Sequence, residues 1–107
     1  GYGSKFSHDH EQATYGYYQV TLADYNINVE LTATKHSGVH QYTWTSSSNG
    51  QNVIVFNTSA TNGGKSCDDM EVNLDADAQT ISGYILSKGS FGARMGGIKL
   101  YYYAKVA

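Results

Sequence analysis

Ten Tyr and one Trp in 107 residues are the side chains of this sequence best suited to recognition chemistry. Tyr84, Tyr101 and Tyr103 stand in the phase opposite the apolar residues of their own segments, Ile81 and Ile85 in one and Ile98, Leu100 and Ala104 in the other. If these segments are neighbouring strands, the three rings share a solvent-facing patch. Such a patch suits a sugar, because a pyranose presents a face of C–H groups to the ring while the phenol hydrogen-bonds its hydroxyls. Lys99, Lys105, Ser82 and Thr80 would supply donors around it. Trp44, beside the polar stretch Ser46 to Gln51, is a second sugar candidate. The competing use of these tyrosines is to fill a sheet face or cover a partner domain, and that of Trp44 is core packing.

Other chemistry is less well provided for. Glycoside hydrolysis needs two carboxylates flanking one sugar. Glu30 and Glu71 sit in the outward phase of their segments, and Asp75 and Asp77 flank a turn, where Asp serves turn geometry. No catalytic residue is expected among them. His8 and His10 would project to one side of an extended segment, a spacing zinc can use, but no third ligand is evident. Calcium is the candidate cofactor: Asp68, Asp69, Asp75 and Asp77 offer hard oxygen ligands, which would have to be assembled from separate loops because Asp75 does not begin an EF-hand pattern.

The composition says which elements must position these residues. Twelve Gly, no Pro and abundant Thr, Ser, Val and Asn, with few of the residues that fill helices, favour an all-β protein. The length fits one domain over 1–107. A formal net charge of −2 gives no basic face for nucleic acid or anionic lipid. No apolar run approaches the roughly 20 residues that span a bilayer, so neither a membrane nor a nucleic acid is an expected partner. Cys67 is the lone cysteine, which excludes an internal disulfide and leaves the compartment open.

Alternation marks the strands. Tyr18, Val20 and Leu22 alternate with Gln19 and Thr21; Ala23 to Asn26 then turn the chain into Ile27 to Thr34, where Ile27, Val29, Leu31 and Ala33 alternate with polar residues. His40, Tyr42 and Trp44 form a third strand after the turn Lys35 to Gly38. Val53 to Phe56 is continuously apolar and reads as a central strand covered on both faces. Beyond the polar loop Thr58 to Ser66 come Met70 to Leu74, Gln79 to Ser87, and, after the loop Lys88 to Gly97, a last strand from Ile98 to Val106. Gly83 marks either a bulge or a close backbone approach. Seven strands separated by turns predict a single antiparallel β-sandwich of about seven to eight strands.

The run FSHDHEQATYGYYQVTLADYNINVELTATKHSGVHQYTW, Phe6 to Trp44, resembles the N-terminal β-sandwich of glycoside hydrolase family 92, calcium-dependent exo-acting α-mannosidases. A second block, AQTISGYILSKG followed by IKLYYYAKVA, resembles the family's later strands in the right order. The resemblance implies a β-sandwich associated with carbohydrate. Within the signature, Tyr15 stands where the family usually has Pro, His10 where Asn is common, Val39 where Phe is usual, and Trp44-Thr45 where Phe-Pro closes the strand. The family's catalytic (α/α)6 domain carries the calcium site and the acid and base carboxylates, and it has no counterpart in these 107 residues. The resemblance therefore implies a secreted or periplasmic, bacterial module, diverged and shortened, and non-catalytic by itself; joined to the reading of the aromatic residues, it leads to the expectation of a glycan or polysaccharide bound through Tyr84, Tyr101, Tyr103, Trp44 and Lys99. Two alternatives stand beside this. The chain could be an N-terminal piece that packs against and shapes the parent protein's catalytic domain, or a structural module whose tyrosines contact another protein.

Overall fold

A computed structural model describes residues 3–45, 52–60, 67–88 and 95–107. The all-β expectation holds: among the described residues seven strands form two antiparallel sheets. The chain divides into two compact units, Gly1–Ile54 and Val55–Ala107, each holding one sheet.

The first unit opens with a 3-10 turn at His8–His10, capped by Ser7, whose hydroxyl accepts from the Asp9 amide. Four strands follow as a meander: β1 (Glu11–Thr14), β2 (Tyr17–Leu22), β3 (Ile27–Ala33) and β4 (Gly38–Trp44). Val20 pairs with Val29 in the ladder, and these two are the buried residues of the described structure, each 7% exposed. Their face continues through Leu22 and Ile27 to Trp44 and through Tyr18 and Leu31 to His40. The turn between β2 and β3 ends at Asn26 with φ of 51°, a left-handed conformation Asn tolerates better than most residues. The Asn26 carbonyl accepts from both the Thr45 amide and the Thr45 hydroxyl, which ties this turn to the end of β4. The segment before the 3-10 turn is laced to the same turn, because the Lys5 amide donates to Asp24 Oδ2 and the Ala23 amide donates to the Lys5 carbonyl.

The second unit holds β5 (Cys67–Asp75), β6 (Thr80–Ser87) and β7 (Ile98–Lys105), again a meander. One face of this sheet carries Met70, Val72 and Leu74 on β5, Ile81 and Ile85 on β6, and Leu100, Tyr102 and Ala104 on β7. The other carries Asp69, Glu71 and Asn73 on β5, Ser82, Tyr84 and Leu86 on β6, and Lys99, Tyr101, Tyr103 and Lys105 on β7. Gly83 answers the question its sequence position raised. A Cβ there would stand 1.9 Å from the Glu71 carbonyl oxygen and 2.7 Å from the Tyr102 hydroxyl, so it marks a close approach. The register shift lies elsewhere, between Cys67 and Asp69.

One expectation is corrected, and one strand is added that the alternation did not mark. Val53 to Phe56 forms no strand and is exposed throughout, with Val53 66% and Val55 61% accessible. The four residues have strand composition, but no described strand pairs with them, and pairing rather than composition makes a strand. Conversely, Glu11 to Thr14 is a strand although it lacks an apolar alternation; its ladder partner β2 sets it. The expected loop at Ser46 to Gln51, residues 61–66 of the loop Thr58 to Ser66, and residues 89–94 of the last loop lie outside the described residues.

Candidate functional site

The outward face of the second sheet is a grid in which β5, β6 and β7 contribute side by side. Glu71, Tyr84 and Tyr101 form one row, Asn73, Ser82 and Tyr103 the next, and Asp69, Leu86 and Lys99 the row on the other side. Because Tyr84 and Tyr101 are ladder partners, their rings lie 6.0 Å apart between centroids at an angle of 59°, within the range of favourable tilted pairs. The Lys99 ammonium sits 3.7 Å from the Tyr84 ring centroid and 5.9 Å from that of Tyr101, a cation–π arrangement that holds the charge between the two rings. Tyr101 and Tyr103 are 75% and 71% exposed, and such large side chains left in water on a strand face are available to a ligand.

Hydrogen bonds fix the margin of this face. The Tyr84 hydroxyl donates to Asp69 Oδ2 at 3.1 Å, and this bond, followed by partial burial and the charge of Asp69, raises the Tyr84 phenol above its ordinary value. Glu71 Oε1 accepts from Asn73 Nδ2 at 2.8 Å. Behind the face, the Tyr102 hydroxyl donates to the Glu71 carbonyl at 3.0 Å, across the space that Gly83 leaves open. The backbone beneath Tyr84 is thereby braced from the apolar side.

Four of the five sugar candidates from the sequence, Tyr84, Tyr101, Tyr103 and Lys99, therefore share one face. Trp44 does not belong to it. This ring is in the first unit, half-buried on β4 opposite Ile27, and forms an aromatic row with Tyr42 at 6.5 Å and His40 beyond it. Asp69, Glu71 and Asn73 were not among the sugar candidates, yet the structure places them against Tyr84. Their alternation with Met70, Val72 and Leu74 is the sequence signal that could have found them.

The four aspartates considered for calcium do not converge. Asp69 and Asp75 stand at opposite ends of β5, six residues or about 20 Å apart. Asp68 pairs with the Lys88 ammonium at 2.5 Å, and Asp75 Oδ1 accepts from the Ala78 amide at 2.9 Å to close the β5–β6 turn, within which Asp77 lies. Among the described residues, no group of three or more His, Cys, Asp or Glu is placed to hold a metal ion. His8 and His10 lie in the 3-10 turn rather than in an extended strand.

A second polar cluster occupies the start of the first sheet. Glu11 accepts from the Tyr18 hydroxyl through one oxygen and meets His8 Nδ1 through the other. The bond from Tyr18, and after it that from His8, holds the Glu11 carboxyl below its ordinary value, while the same bond raises Tyr18. On the opposite face, the Tyr17 hydroxyl lies 2.7 Å from Glu30 Oε1, to which it donates. Glu30, one of the carboxylates weighed for acid–base work, is thus committed to a ladder neighbour, and Glu71 to Asn73.

The family model described as Glycosyl hydrolase family 92 N-terminal domain matches residues 1–107. The chain belongs to this family. No curated protein and no solved structure gives a match.

Proposed function

We propose that this chain is a non-catalytic, carbohydrate-associated module of a family 92 glycoside hydrolase, which binds a glycan on the face formed by Tyr84, Tyr101, Tyr103 and Lys99. The observation that carries the proposal is the exposed tyrosine pair Tyr101 and Tyr103, backed by a third ring and a cation held between Tyr84 and Tyr101. The rings offer apolar surface to the C–H face of a sugar, and Ser82, Asn73 and Lys99 surround them with hydroxyl, amide and ammonium groups for its hydroxyls. An open face of this kind grips weakly, because it encloses no ligand and few of its contacts are desolvated. Such a module would serve an exported enzyme, in the periplasm or outside a bacterial cell, by holding polymer near a catalytic domain.

Calorimetry of the 107-residue chain against a panel of neutral and acidic oligosaccharides tests this. At least one member gives a saturable isotherm, weakened roughly tenfold or more by Tyr101→Ala, which corresponds to about 1.4 kcal/mol. A flat response across the panel would sink the proposal.

A second reading rests on the other face of the same sheet. Met70, Val72, Leu74 and Leu100 are 41%, 46%, 74% and 50% exposed, apolar surface of the kind a packed partner covers. In that reading the module packs on the parent protein's catalytic domain and shapes its pocket. Co-expression with that domain would then protect these residues from hydrogen exchange while the Tyr101 face stays open.

A further inference from the structure

We infer that the glycan taken by the tyrosine face is an acidic one, and that it runs along β7 over the row Lys99, Tyr101, Tyr103 and Lys105. The inference rests on the glycan reading above and adds to it the charge and the direction of the ligand. Four observations carry it. The four side chains alternate along one strand, so they project to the same side in a line, cation, ring, ring, cation, about 20 Å from first to last. All four are exposed. Among the described residues neither lysine makes an ion pair, although Lys88 nearby does. Lys99 leans on the Tyr84 and Tyr101 rings, which position the ammonium without neutralising it.

The charges of this face are sorted by strand, which gives the direction. Asp69, Glu71 and Asp75 lie on β5 and the two lysines on β7, with the uncharged Thr80, Ser82, Tyr84 and Leu86 between them on β6. Two strand spacings, about 10 Å, separate the backbones of β5 and β7, and the Lys99 ammonium leans from β7 onto the Tyr84 ring of β6. A polymer lying along β7 therefore meets the lysines before it feels the carboxylates. One lying across the sheet would place its acid groups against Asp69 and Glu71, where like charges repel. Carboxylate or sulfate groups at the two ends and sugar rings over the two tyrosines satisfy the row.

Matched pairs of oligosaccharides that differ only in charge test this: an oligogalacturonide with its methyl ester, and an oligomeric dextran sulfate with the parent dextran. Titrations of the whole chain run at low and high salt. The expected result is at least roughly fivefold tighter binding of one acidic member than of its neutral partner, with the preference shrinking as salt rises. The double variant Lys99→Gln/Lys105→Gln loses that preference. The galacturonide and dextran sulfate arms tell a carboxylate from a sulfate. Equal, salt-independent binding of acidic and neutral members would overturn the inference and leave the glycan reading standing. Acidic preference unchanged in the double variant would overturn the assignment to β7. Binding of no member would remove the glycan reading and the inference with it.

Discussion

Replacing Gly83 by Ala is the sharpest probe of how the tyrosine face is supported. The new Cβ would stand 1.9 Å from the Glu71 carbonyl oxygen and 2.8 Å from its carbon, both backbone atoms of the neighbouring strand, and 2.7 Å from the Tyr102 hydroxyl. Backbone cannot rotate away as a flexible side chain can, so the β5–β6 ladder must open locally. Overpacking of this kind costs about 1–3 kcal/mol, and the Tyr102 to Glu71 hydrogen bond, worth about 1 kcal/mol, is lost with it. Alanine returns roughly 0.5 kcal/mol by restricting the unfolded chain. The net expectation is a destabilisation of about 2.5 kcal/mol, and with a urea m-value of about 1.5 kcal/mol/M the midpoint falls by roughly 1.7 M. Trp44 fluorescence follows the first sheet, so the transition of the second is read from amide hydrogen exchange in β5 and β6. Tyr102→Phe removes the hydrogen bond alone and costs about 1 kcal/mol. Because Gly83→Ala already breaks that bond, the double variant costs less than the sum of the two. A midpoint for Gly83→Ala within about 0.3 M of the parent, with β6 protection intact, would refute this account of the close approach.

Two further outcomes are expected. Val29→Ala removes two methyl groups from the buried Val20–Val29 pair and lowers stability by about 1.5–2 kcal/mol, measured by Trp44 fluorescence in urea, whereas Val53→Ala, on an exposed segment without a strand partner, changes it by less than about 0.5 kcal/mol. Glu11 has a folded pKa below its ordinary value of 4.5, so its contribution is fully present above that value and is lost as pH falls through the lowered one. The denaturation midpoint of the parent chain therefore drops between about pH 4.5 and more acid conditions, and Glu11→Gln, which starts lower at neutral pH, loses that part of the slope.

Most of the strand layout was legible because alternation survives translation into structure. Tyr17 to Leu22, Ile27 to Ala33 and Thr80 to Ser87 sit where their patterns put them, and the shared phase of Tyr84, Tyr101 and Tyr103 became a shared face. What failed depended on pairing. The apolar run at Val53 carries strand propensity without a partner, and Glu11 to Thr14 is a strand by virtue of β2 alone. The tie between Tyr84 and Asp69 was illegible for a related reason. It depends on the register of β5 against β6, including the irregularity at Cys67, and nothing in the residues at that point signals an extra residue in the ladder. Chain proximity at Asp68-Asp69 and at Asp75 to Asp77 likewise says nothing about the length of strand that separates the two pairs.

Both sheets are meanders in which each strand pairs only with its neighbours in the chain. Apart from the ten residues between β6 and β7, each pairing is closed by a short connection, so little loop entropy is spent before contacts repay it, and the contact order within each sheet is low for an all-β protein. A growing chain can complete the four-stranded sheet once Trp44 is free of the ribosome, before β5 has emerged from it. The chain is therefore suited to vectorial folding during synthesis, one sheet at a time.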